Sequence, residues 1–291
     1  MKKTCLKTSL TLLMLLSFSL THAQKEAYKL YNTKGKEVRY ERMLNDCRQA
    51  DVVLFGELHN DPIAHWMQFE LTKDLYGLVG EKLVLGAEMF EADGQLIMDE
   101  YFAGIITEKK FEEEMRLWNN YKTDYKPLVE FARDSGLRFV ATNIPRRYAN
   151  TVFNLGLDTL NSLTDIAKTF MMPLPVLYDT TLASYSALSG GGPMGGHGSP
   201  NLRDAQAVKD ATMAFFILEN LHHEGTFLHF NGAYHSDDYE GIGYFLKMLR
   251  PELTIVTIST VNQGDISSLE EENEGKADYI LAVPESMTRT Y

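Results

Sequence analysis

Two Gly-x-x-His segments, Gly56-Glu57-Leu58-His59 and Gly232-Ala233-Tyr234-His235, place an imidazole three residues after a glycine at the end of an apolar run. Two further apolar runs end in Gly86-Ala87-Glu88-Met89-Phe90-Glu91 and Asn143-Ile144-Pro145-Arg146. In an extended segment Glu57 and His59 lie on one face. Two carboxylates and two imidazoles, Glu57, His59, Glu88 and His235, form a donor set for a hard-to-borderline divalent metal with positions left for water. The same four could work without metal, one histidine acting as general base on water while a glutamate holds its tautomer. The spacing is not His-Glu-x-x-His, so no zincin helix is implied.

What positions them is a series of short strands: Asp51–Phe55, Lys82–Leu85, Leu137–Ala141 and Phe227–Phe230, with two more near 254–258 and 279–283. In an open α/β sheet the ligand crevice lies outside the carboxyl ends of the strands, so tips far apart in sequence converge. Asp61-Pro62 reads as a helix cap and first turn, followed by Ile63, Trp66, Met67, Leu71 and Leu75 at helical spacing, with Gly77 closing the helix. Strand, helix and strand from Asp51 to Gly86 imply a parallel pair with a right-handed crossover. The expected fold is α/β, a mainly parallel central sheet flanked by helices. Helical insertions are expected around 94–132 and 151–200, within a single domain spanning 24–291. Asn201 is read as the cap of a helix running to about His222, and Leu269–Lys276 as an acidic surface loop.

Other residues carry two readings each. Asn143 and Arg146 could bind a carboxylate or phosphate, or Arg146 or Arg147 could neutralise Glu57 or Glu88. His65, one turn into the first helix, is a supporting partner, a ligand, or a surface histidine. Trp118, Tyr121 and Tyr125 form an aromatic cluster that packs, or that offers ferric iron a phenolate with Lys126 beside it for a propionate. His197, inside the glycine-rich stretch Ser189–Gly198, closes over a ligand or is simply exposed.

Bulk properties narrow the classes. The chain has 40 acidic against 28 basic residues, a formal charge of −12, which argues against nucleic acid or an anionic membrane surface as partner. Lys2, Lys3 and Lys7, the apolar stretch Leu10–Leu20 and Thr21-His22-Ala23 read as a signal peptide over 1–23. That stretch falls short of the roughly 20 residues a membrane span needs, so no transmembrane segment is expected in the mature chain. The expectation is export to the periplasm or cell envelope, with Cys47 alone and no internal disulfide.

Taken in order, Gly56-Glu-Leu-His59-Asn-Asp-Pro62, Gly86-Ala-Glu88-Met-Phe-Glu91, Asn143-Ile-Pro-Arg146, the segment Asp204–Ala214 and Asn231-Gly-Ala-Tyr-His235 resemble the ChaN family of haem-binding, iron-uptake proteins. That family is similar in turn to the erythromycin-esterase and Tiki/TraB group, whose Gly-Glu-x-His and Gly-x-x-His tips form a hydrolytic, often metal-dependent site. The resemblance implies a homodimer holding two haems face to face, a tyrosine of one subunit on iron, and a histidine and a lysine of the other on propionates. It implies Tyr125 as first and Tyr121 as second choice for the iron ligand, with Lys126, His65, Arg146 and His197 as further haem contacts. An outer-membrane haem receptor is the implied partner. Members are often lipoproteins, whereas this leader has no lipid-accepting cysteine. A metal-dependent hydrolase using Glu57, His59, Glu88 and His235 is the alternative.

Overall fold

The computed structural model describes residues 25–189 and 200–291; the leader and His197 lie outside the described residues. In chain order the strands and helices are β1 (Lys29–Asn32), α1 (Tyr40–Cys47), β2 (Val52–Glu57), α2 (Pro62–Val79), β3 (Leu83–Glu91), α3 (Gln95–Phe102), α4 (Glu108–Glu114), α5 (Lys126–Asp134) and β4 (Arg138–Asn143). They continue with α6 (Arg146–Leu155), α7 (Asp165–Lys168), α8 (Ala183–Ser186), α9 (Leu202–Asn220), β5 (Thr226–Gly232), α10 (Ile242–Leu249), β6 (Ile255–Gln263) and β7 (Tyr279–Pro284). The seven strands form one sheet in the order β1-β7-β6-β2-β5-β3-β4, parallel except for β1 against β7.

Alternation along the strands builds a core on each face. Val53, Phe55, Leu85, Leu228 and Phe230 face Met67, Leu71 and Leu75 of α2 and Leu128 of α5. Val52, Leu54, Val84 and Phe227 face Val208, Ala211 and Ile217 of α9 and Phe245 of α10. The chain leaves β2 toward the β4 edge and leaves β5 toward the β1 edge. The change of direction therefore falls at the β2–β5 pair, where an open α/β sheet opens its crevice.

Several expectations are corrected. β2 and β3 are not partners, because β5 lies between them and hydrogen-bonds to both. The strands also run further than their apolar cores suggest: backbone pairing carries β2 through Glu57, and β3 extends to Glu91 with Glu88 in an irregularity of its pairing with β4 between Ala87 and Glu91. Gly77 does not end α2, which continues to Val79 and stops at Gly80, whose φ of 61° admits glycine readily. Trp66 is exposed and packs against Tyr28 instead of joining the core. Helical structure around 94–132 is broken between Glu114 and Lys126, where Tyr121–Tyr125 makes a π-type turn. Asn201 sits at the start of α9 without a side-chain cap, its amide directed to the Phe153 carbonyl. In the expected loop after β6, Leu269 and Asn273 are buried.

Candidate active site at the strand tips

The four tips lie on four adjacent strands, β2, β5, β3 and β4, and bring two histidine–carboxylate systems together from opposite faces of the sheet. The first is built on the α2 face. Glu57 is 1% exposed, and its Oε1 accepts from Tyr125 Oη at 2.6 Å and lies 2.9 Å from His59 Nδ1. Its Oε2 accepts from Gln68 Nε2 at 2.6 Å. A carboxylate held this way fixes the His59 ring and leaves Nε2 without a hydrogen-bond partner among the described residues. The ring stands edge-on to Trp118, 4.8 Å between centroids, with about a third of the side chain exposed. His65 lies behind, 3.1 Å from the His59 carbonyl and 3.6 Å from Glu57 Oε2, with Asp124 3.5 Å from its Nε2. Asp61 secures the entry to α2: Oδ1 accepts from the Ile63 and Ala64 amides, and Oδ2 from Arg289 and Asn262.

The second system comes from the α9 face. Glu88 accepts from the Gly232 amide at 2.8 Å and lies 3.2 Å from His235 Nε2. The other nitrogen of His235 is 2.5 Å from Asp210 Oδ1, and Asp210 Oδ2 accepts from Tyr185 Oη at 2.6 Å. The result is a buried line Tyr185, Asp210, His235, Glu88. Burial opposes the charge on His235, but the carboxylates on both sides of it outweigh that cost and hold its pKa up at about 10. Glu88 is likewise resisted by burial, yet His235 and His59 pull it well below the ordinary carboxylate range. His59 is raised too: burial lowers it, and Glu57 and Glu88 more than compensate.

Gly232 is where the two systems meet. A Cβ there would lie 2.8 Å from His59 Nε2 and 3.5 Å from Glu88 Oε2, so the missing side chain lets the His59 ring close onto the Gly232 backbone beside Glu88, one group of each system at the same glycine. The other motif glycines admit close packing in the same way. The space beside Gly56 is filled by the Ala233 backbone, and that beside Gly86 by the Phe227 ring.

Glu57, His59, Glu88 and His235 are thus assembled, but not as one metal cage. Among the described residues no three His, Cys, Asp or Glu side chains are placed to share an ion. The physical reason is that both nitrogens of His235 and Nδ1 of His59 are already committed to carboxylates. His65 is buried as a supporting partner. Tyr125 and Tyr121 are each 2% exposed; the Tyr125 oxygen is held by Glu57, while the Tyr121 oxygen is buried without a hydrogen-bond partner among the described residues. Lys126 pairs with Glu108 and Glu112. The Arg146 side chain is exposed, and Arg147 pairs with Asp93 rather than with Glu57 or Glu88. Asn143 donates to the Glu88 carbonyl at 3.0 Å.

Gln68, Asp210 and Tyr185 were missed. Gln68 and Asp210 each interrupt an apolar helical stripe, Gln68 among Met67, Leu71 and Leu75, Asp210 among Val208 and Ala211. A polar residue at a core position must find a partner, and that was the available signal. Tyr148 is a further tyrosine near the β4 tip. It is half-buried near the start of α6, with the Arg147 guanidinium 4.3 Å above its ring and 3.1 Å from its oxygen.

Residues 43–246 match the profile of the family described as haem-binding uptake, Tiki superfamily, ChaN. The chain belongs to the ChaN family. Among solved structures, that described as cofacial heme binding to ChaN of Campylobacter jejuni superposes with a TM-score of 0.66 at 20% identity, covering 87% of this chain and 96% of that one. A succinoglycan biosynthesis protein superposes at 0.50 and 10% identity, covering 89% and 94%. An erythromycin esterase, EreC, reaches 0.48 at 10% identity, too low to argue from. At these identities the likeness shows a shared fold, the α/β sheet described above. No curated protein matches the chain.

Proposed function

We propose that this ChaN-family chain is an exported haem-binding protein of the cell envelope that serves iron uptake, with haem held through a tyrosine in a pocket between two subunits. The observation that carries the reading is the family match over residues 43–246. The side chains fit haem at the β4 tip. Tyr148 is half-buried there rather than sealed in the core, and the Arg147 guanidinium, which also pairs with Asp93, donates to its oxygen, where an iron-bound phenolate would be negative. The exposed Arg146 next to it suits a propionate. Tyr125 would have to give up Glu57 to bind iron, and burial pushes its phenol far above the ordinary range. When bound, haem supplies the iron that is carried; the chain supplies ligand, counter-charge and cover. In hemin titrations Tyr148→Phe should weaken binding at least tenfold, about 1.4 kcal/mol, while Tyr125→Phe changes it less. The reverse ranking would return the iron to the Tyr121–Tyr125 turn.

A second reading is favoured by the meeting of the two systems at Gly232, where His59 Nε2 has no hydrogen-bond partner among the described residues: metal-free hydrolysis, with His59 Nε2 as base on a water and Glu88 across from it. The base must be neutral, and the pKa of His59 is raised above 6.5, so activity should climb with pH through a midpoint above that value. An esterase and peptidase screen checks this. His59→Ala and His235→Ala should each abolish whatever the wild type shows, and equal rates in all three would end the reading.

A further inference from the structure

Beside the His235 line runs a segment that neither reading uses. Between Asp179 and Ser186 the chain is tied to the β5 tip and to α10 by hydrogen bonds. The Asp179 amide donates to Tyr244 Oη at 3.1 Å. The two carboxylate oxygens of Glu240 accept from the Ala183 and Ser184 amides at 3.0 and 2.7 Å. Tyr234 Oη donates to the Ser184 carbonyl at 2.5 Å. Tyr185 is fully buried, and its hydroxyl reaches Asp210. Glu240 follows His235 by five residues, on a turn where Asp238 and Tyr239 both hold positive φ and Gly241 leaves no room for a Cβ against the His235 carbonyl. Two non-glycine residues in that conformation are costly and persist only where the surroundings fix them. A single carboxylate thus links the strained turn after His235 to the segment that delivers Tyr185.

We propose that Asp179–Ser186 is a strap latched by Glu240, and that Tyr185 is the positioning residue through which strap closure orders Asp210 and His235. The strap has few backbone ties of its own: α8 is four residues long, Glu240 accepts from its first two amides, and its deep anchor is the Tyr185 side chain in the core on the α9 face. Segments held by a few polar contacts open far more often than sheet or long helices. Opening withdraws Tyr185, frees one oxygen of Asp210, and admits water to the His235 imidazole; closing restores the line to Glu88. The device lies on the side of the tips away from His59, so it governs access to His235 alone.

The test uses the full chain with 15N-labelled histidine. Two rates are measured, exchange of the His235 Nδ1 proton with water by NMR and deuterium uptake of the Ala183 and Ser184 amides by mass spectrometry. Glu240→Ala should accelerate both at least tenfold while the His59 resonances stay in place. Tyr185→Phe should leave Ala183 and Ser184 protected but shift the His235 signals. Unchanged protection of Ala183 and Ser184 in Glu240→Ala would remove the latch, and faster amides with unchanged His235 exchange would remove the coupling. If Glu240→Ala does not fold, Glu240→Gln, which keeps one acceptor, is judged by the same criteria.

Discussion

Replacing Glu88 by alanine should lower the unfolding free energy by about 3 kcal/mol, the lower end of what breaking a buried ion pair costs, because Asp210 still faces the stranded imidazolium. Glu88→Gln, which keeps the shape and an acceptor, should lose roughly half as much. The pH dependence follows from the two directions of shift. Glu88 is depressed in the folded chain, so its contribution is present above its ordinary value of 4.5 and is lost as pH falls below it. His235 is raised, so its contribution is complete below 6.5 and drains away as pH rises toward about 10. The wild type should therefore be most stable between these limits, and Glu88→Ala should flatten the acid side of the profile. Denaturant unfolding across pH checks both; a loss under about 1 kcal/mol, in the range of an exposed pair, would mean the line is not formed in solution.

The second large effect concerns the glycine that opens the first motif. Gly56 lies in the middle of the sheet, and an added Cβ would stand 2.8 Å from the Ala233 Cα and 3.1 Å from the Ile258 carbonyl oxygen. Neither backbone can yield without disturbing a strand or the β5 tip, so Gly56→Ala should cost about 1–3 kcal/mol from overpacking. Gly77 is the control. It sits exposed within α2 with nothing near its missing Cβ, so Gly77→Ala should gain about 0.5–1 kcal/mol of helix stability. Thermal unfolding of the two variants distinguishes a glycine required by close packing from one that is merely tolerated. Equal and small shifts would remove the packing explanation of the motif.

The parallel α/β sheet was legible because buried parallel strands read as apolar runs and each run stopped at residues with chemistry. Tip convergence followed from topology alone, and it brought Glu57, His59, Glu88 and His235 together as expected. Strand order was not legible. Nothing local says that Thr226–Gly232 inserts between β2 and β3, since that is decided by which apolar strand can pair on both edges. The antiparallel β1 was missed because four residues at a sheet edge carry little pattern. The metal reading came from residue types, while the structure depends on numbers of partners: once Asp210 is counted, His235 has no free nitrogen. The aromatic cluster is legible but its tyrosine oxygens point inward, and Tyr148, the iron ligand proposed above, carries no signal because a tyrosine beside two arginines on a helix looks like ordinary surface.

Haem binding is most directly tested by titrating the purified wild-type chain with hemin and following the Soret band. A saturable shift with an endpoint of one haem per chain is expected. A featureless titration, indistinguishable from hemin in buffer, would contradict it.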